Sequence, residues 1–181
     1  MDNDASAVRL AGYRHFAATG RAPSGGQIAD ALGRSVAQVS AAFERLAAER
    51  ALVLFPGTTE IWMAMPFSAV PTELRVETEK GPYWANCAWD ALGIPAALGA
   101  DAKISSRCSD CGESLRIEVS GGECSAGLWV HFGVPAAQWW QDIGFTWATI
   151  RFFRSEDHAR AWCSNRRLAF GAMATVEQVW R

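Results

Sequence analysis

Apolar residues in this chain keep a helical spacing over roughly the first fifty positions and an alternating spacing over much of the remainder. Val36, Val39, Phe43 and Leu46 fall on one face of a helix, and Val8, Ala11, Tyr13 and Phe16 predict another over residues 8–18. Leu115-Arg116-Ile117-Glu118-Val119 instead alternates residue by residue, as a half-buried strand does. A run of helices followed by a run of strands restricts the chain to an α+β fold. The expected architecture is a helical, winged-helix-like module over residues 1–70, packed on a core over residues 71–181. That core is a mostly antiparallel or mixed β-sheet with flanking helices.

Local signals refine the first module. Gly20 and Pro23 end the first helix, Ser24 caps a second over Gln27 to Leu32, and Ser35 caps the third. Leu52-Val53-Leu54-Phe55, the turn Pro56-Gly57 and Ile61-Trp62-Met63 predict a hairpin. Helix, helix, turn, helix and hairpin make a winged helix-turn-helix pattern. The charges argue against DNA binding: six arginines in residues 1–70 are matched by six acids, and the third helix carries one central cation, Arg45. A structural lid or packing module is the preferred reading. Beyond Pro66 and Pro71, strands are expected at Leu74–Glu77, Lys103–Arg107, Leu115–Val119 and Leu128–Phe132. A short helical segment follows at Pro135–Trp140, then a long apolar strand at Phe145–Phe153. Ser155 caps a further helix, and Thr175–Trp180 closes the chain.

Composition excludes several classes. Half of the 181 residues are apolar and the net charge is −2, so a packed core is expected and no global basic field draws in nucleic acid. No apolar run approaches membrane-spanning length, and the first residues lack a signal-peptide pattern, so the expected location is the cytoplasm. Five cysteines, an odd number, argue for free thiols or metal ligands rather than a disulfide framework.

Two segments carry chemistry. In Asn86-Cys87-Ala88-Trp89-Asp90, a thiol and a carboxyl three residues apart share one face if the segment is helical. Trp84, Trp89 and Pro95 make the surroundings apolar, which perturbs both pKa values and equips Asp90 to hold a proton. The plain alternative is a buried small hydrophobe next to a capping acid. Cys108-Ser109-Asp110-Cys111-Gly112 is a C-x-x-C knuckle between two expected strands, fit for a soft metal ion or for structure alone. Cys124, His131, His158 and Cys163 are candidate partners, at spacings that match no zinc pattern. His131 reads as a buried, hydrogen-bonded histidine and His158 as a solvated one.

From Arg9 to Trp162 the chain resembles the organomercurial (alkylmercury) lyases. The resemblance is sharpest over residues 83–92 and 94–99. It continues through Ser105-Ser106-Arg107-Cys108, Val130-His131-Phe132 and Phe152-Phe153. It implies cleavage of a carbon–mercury bond in a small-molecule substrate, with no cofactor required. It also implies that Cys87 is the thiolate that binds mercury, that Asp90 relays a proton to the leaving carbon, and that Cys108 is non-catalytic. The chain diverges at one point. The family's second catalytic cysteine belongs to the stretch that reads here Gly144-Phe145-Thr146-Trp147-Ala148-Thr149-Ile150-Arg151, and Trp147 stands near its place. Trp84, Trp89 and Trp147 are then the expected substrate pocket. Two alternatives stay open. One is a non-catalytic binder of Hg, Cu or Zn using Cys87, Cys108 and Cys111. The other is a winged-helix regulator that senses a ligand.

Overall fold

The computed structural model describes residues 3–181, with side chains from residue 5 onward. Three helices come first: α1 (Asn3–Thr19), α2 (Gly25–Leu32) and α3 (Val36–Ala48). Ser24 and Ser35 both form capping boxes, with Gln27 and Gln38 returning to the cap backbone. Val39, Phe43 and Leu46 are buried as expected, but Val36 is 54% exposed. It is the first residue of its helix and sits at the edge of the stripe that Val39, Ala42, Phe43 and Leu46 bury. β1 (Val53–Leu54), β2 (Ile61–Ala64) and β3 (Phe67–Ser68) form a small antiparallel sheet after the helices.

A five-stranded antiparallel sheet forms the centre. It contains β4 (Arg75–Thr78), β5 (Gly81–Trp84), β6 (Ala102–Arg107), β7 (Ser114–Ser120) and β8 (Glu123–Ser125), in the order β5-β4-β6-β7-β8. β7 buries Leu115, Ile117 and Val119 on alternate positions, as its sequence pattern requires. Between β5 and β6 runs α4 (Ala88–Leu98), which packs on β4 and β6. A second sheet sets β9 (Trp129–Phe132) between β10 (Ile150–Phe153) and β11 (Ala172–Thr175), all antiparallel. A 3₁₀ turn (Ala136–Gln141) and α5 (Ile143–Thr149) precede β10. α6 (Glu156–Arg166) follows it, and α7 (Val176–Trp180) ends the chain.

One element departs from expectation. The apolar run from Phe145 is not a single strand: its first half is α5, and only Ile150–Phe153 is extended. Asp142 caps that helix by accepting from the Phe145 N–H at 2.9 Å. A short apolar run does not distinguish a buried helix from a buried strand, so the cap decided the outcome.

The N-terminal helices bear on β3 and β5, which lead into the loop before α4. Phe16 stacks on Phe67 at 5.4 Å, Phe67 meets Tyr83 at 5.6 Å, and the Tyr83 hydroxyl donates to Ala17 O at 2.7 Å. Gly20 lies at φ +68°, and a Cβ there would fall 2.3 Å from Pro82 O. Gly20→Ala is therefore expected to destabilise the fold by about 2–4 kcal/mol, from left-handed backbone strain plus a backbone clash. Urea denaturation at unchanged m-value measures it.

Candidate active site

Cys87 is not inside a helix. It is the N-cap of α4, with extended backbone at φ −150° and ψ 177°, and its Sγ accepts from the Asp90 N–H at 3.5 Å. Asp90 is the third residue of the helix. The C-x-x-D spacing thus works as a thiol version of the serine cap, not as two residues on one helical face. The arrangement still brings thiol and carboxyl together, because an N-cap side chain turns back over the first turn.

Both groups are almost wholly buried, Cys87 at 2% and Asp90 at 3% exposure. Burial lifts the Asp90 carboxyl to about 7; hydrogen bonds from Asn86 and from the Cys87 thiol only partly offset it. Asn86 Nδ2 donates to Asp90 Oδ2 at 3.1 Å and to Phe67 O at 3.3 Å, tying the acid to β3. Burial also pushes the Cys87 thiol well above its ordinary value, and negative charge on Asp90 pushes it further. The backbone N–H groups of Asp90 and Trp89 pull the other way. At neutral pH the sulfur therefore keeps its proton while Asp90 is divided between its two forms.

Cys87 lines a cavity of about 280 Å³ together with Thr72, Glu73, Leu74, Asn86, Trp147, Ala148, Ile150 and Arg151. Trp147 is buried on α5 and forms part of this wall. The other two expected pocket tryptophans lie elsewhere. Trp84 is half-buried on β5 with the Arg75 guanidinium 5.9 Å from its ring. Trp89 is 45% exposed, edge-on to Phe132 at 5.8 Å and Trp139 at 6.1 Å. It occupies the second helical position of α4, which faces away from the cap. Glu73 and Arg151 pair at 3.0 Å in the cavity wall, a contact between positions far apart in the chain that no local pattern encodes.

The remaining cysteines and histidines separate into two sets. His131 is fully buried. Gly171 N–H donates to its Nε2 at 3.1 Å, so Nδ1 carries the proton and donates to Thr149 O at 3.0 Å. Burial lowers its pKa, in keeping with a neutral structural ring. Cys163 lies against the same Nε2 at 3.6 Å, and Cys124 is buried on β8. Cys108 and Cys111 close the β6–β7 turn, and His158 on α6 joins them. Among the described residues, Cys108, Cys111 and His158 are the group fit to hold a metal, with ligand atoms all within 4.8 Å of one another, and Cys87 is not part of it. The expectation of a solvated His158 is corrected: its side chain is 31% exposed and Nδ1 donates to Asp110 Oδ2 at 2.8 Å.

A capped thiol that lines a cavity, next to a buried carboxyl with a raised pKa, is the arrangement the fold presents at the start of α4. Residues 67–181 match the family model described as MerB, alkylmercury lyase, and the chain belongs to that family. Its members are lyases that cleave carbon–mercury bonds. In fold, the chain is similar to the crystal structure of the mercury-bound form of MerB2, with a TM-score of 0.76 at 24% identity, covering 99% of this chain and 87% of that one. Comparison with curated proteins finds none that matches. No helix among the described residues is long and apolar enough to cross a membrane.

Proposed function

We propose that this chain cleaves the carbon–mercury bond of an organomercurial held against Cys87, with Cys87 as the soft ligand and Asp90 as the acid. One observation carries the reading: a buried thiol that lines a cavity of about 280 Å³ is hydrogen-bonded to a carboxyl whose pKa is about 7. Thiolate sulfur suits a soft metal, and a carbanion-like leaving group needs a proton donor close at hand. As the mercury of R–Hg–X meets the sulfur, the thiol proton passes to ionised Asp90, the Hg–S bond forms and X departs as an anion. Asp90 then delivers that proton to carbon as the C–Hg bond breaks, its electron pair staying with carbon. The products are the hydrocarbon RH and Hg(II) on the Cys87 sulfur, with Asp90 ionised again. No organic cofactor enters this sequence, since mercury arrives with the substrate.

We read the site as an altered one. Trp147 forms cavity wall near the position where the family resemblance implies a second thiol, so product Hg(II) holds a single protein sulfur there. An external thiol is then needed to take the metal away. Incubation with an arylmercurial and excess low-molecular-weight thiol is expected to give arene and Hg(II) in equal amounts, at a rate that rises with thiol concentration. Arene release no faster than in a protein-free control defeats the assignment.

Residues 1–70 are read as a buttress for the Cys87 loop rather than as a DNA reader. Tyr83, Phe67 and Asn86 link α1 and β3 directly to that loop.

A further inference from the structure

The knuckle between β6 and β7 is built more tightly than a plain turn requires. Cys108 N–H donates to Glu113 O at 2.8 Å, Gly112 N–H donates to Cys108 O at 2.8 Å, and Arg107 Nη1 donates to Gly112 O at 3.1 Å. Gly112 sits at φ +75°, so the backbone folds back immediately after Cys111. The Ser109 N–H reaches Phe152 O at 3.4 Å, and Arg154 pairs with Glu113, which fixes the knuckle to β10 and to the residue beyond it. Ser155 then caps α6 by accepting from the His158 N–H, which sets His158 on the first turn facing the two sulfurs.

We propose that Cys108, Cys111 and His158 form a second site, separate from Cys87, for one thiophilic d¹⁰ cation. Two thiolates and an imidazole are a donor set that Zn(II) prefers, and the two thiolates alone suit Hg(II) as a soft ion. A tetrahedral ion with metal–sulfur bonds of about 2.3 Å needs ligand atoms about 3.5–4 Å apart. The observed limit of 4.8 Å lies within a small contraction of that. Asp110 completes the pattern. Its carboxylate accepts from His158 Nδ1 at 2.8 Å and holds the ring, so that in the proposed site Nε2 is the nitrogen free to bind the ion, as in carboxylate-backed metal-bound histidines. Cys111 is exposed, so the fourth position opens to solvent.

The setting joins this site to the first. A cavity of about 340 Å³ lined by Cys108, Asp110, Arg107 and Arg166 is also bounded by Glu73 and Arg151. That same ion pair bounds the Cys87 cavity. The same salt bridge thus lines the cavities at both sites, and exposed Cys111 leaves the second open to an ion arriving from solvent.

Co(II) titration of the full chain carrying Cys87→Ser tests the proposal without reference to catalysis. One equivalent is expected to bind, with a thiolate-to-metal band in the near ultraviolet and the intense visible bands of a tetrahedral site. Adding Cys111→Ser, at an exposed position that the fold tolerates, should remove both. His158→Ala should weaken binding at least tenfold and shift the visible bands, and Asp110→Asn should weaken it by about 10–100-fold. Displacement of Co(II) by one equivalent of Zn(II) would identify a structural ion; displacement by Hg(II) alone would identify a mercury acceptor. Absence of the bands, their survival in Cys111→Ser, indifference to His158→Ala, or displacement by neither ion overturns the proposal.

Discussion

Replacing Asp90 with asparagine is expected to lower arylmercurial turnover by about 10²–10⁴-fold while making the folded protein more stable above pH 7. The two effects share one cause. Burial raises the carboxyl from 3.8 to about 7, so the folded state disfavours the ionised form that the unfolded chain adopts freely. A group with a raised folded pKa contributes fully below its unfolded value, and that contribution is lost as pH rises through its folded value. Stability should therefore fall between about pH 4 and pH 7 and then level off, by about 4 kcal/mol at most. Asparagine cannot ionise, so the variant should lack this slope. Its amide oxygen can still accept from Asn86. Turnover depends on pH in the opposite sense. The reactive pair holds one proton, on the sulfur, with Asp90 ionised to receive it, so the wild-type rate should climb as pH passes about 7. Asp90→Asn should lose that limb. Chemical denaturation and single-turnover kinetics across pH 4–9 measure both. If the variant loses stability and activity together, Asp90 is structural and the acid role fails.

Cys87→Ser is expected to reduce carbon–mercury cleavage to the uncatalysed level while changing stability by less than about 1 kcal/mol. The expectation rests on where the sulfur sits. Cys87 is an N-cap, and serine is among the preferred residues at that position, so the Asp90 N–H keeps an acceptor and α4 keeps its start. Oxygen is a hard ligand and will not displace X from mercury as sulfur does. Matched thermal denaturation curves, with arene release absent in the variant, would separate the chemical role of the sulfur from its structural one. Residual turnover close to wild type would move the chemistry away from this cap. A large loss of stability would mean that sulfur packing, not capping, holds the loop.

Much of this was legible in residues close together in the chain. Ser24, Ser35 and Ser155 marked helix starts because capping is a contact across three residues, and β7 declared itself because alternation is a property of five consecutive side chains. The pairing of Cys87 with Asp90 was visible for the same reason, although it proved to be a cap and the residue inside the helix rather than two positions on one face. The division of Phe145–Phe153 into helix and strand was not visible, since an apolar run carries no period and Asp142 lay outside it.

Local order along the chain therefore determined the helices, most strands, the α+β class and the thiol–carboxyl pair. Tertiary structure alone decided which aromatic residue walls the Cys87 cavity, that Glu73 meets Arg151, and that His158 joins Cys108 and Cys111. The reason is physical: a side chain's burial and its partners across the sheet depend on how β6, β10 and α6 pack. No spacing within a single segment encodes a contact between residues 48 positions apart, as between Asp110 and His158.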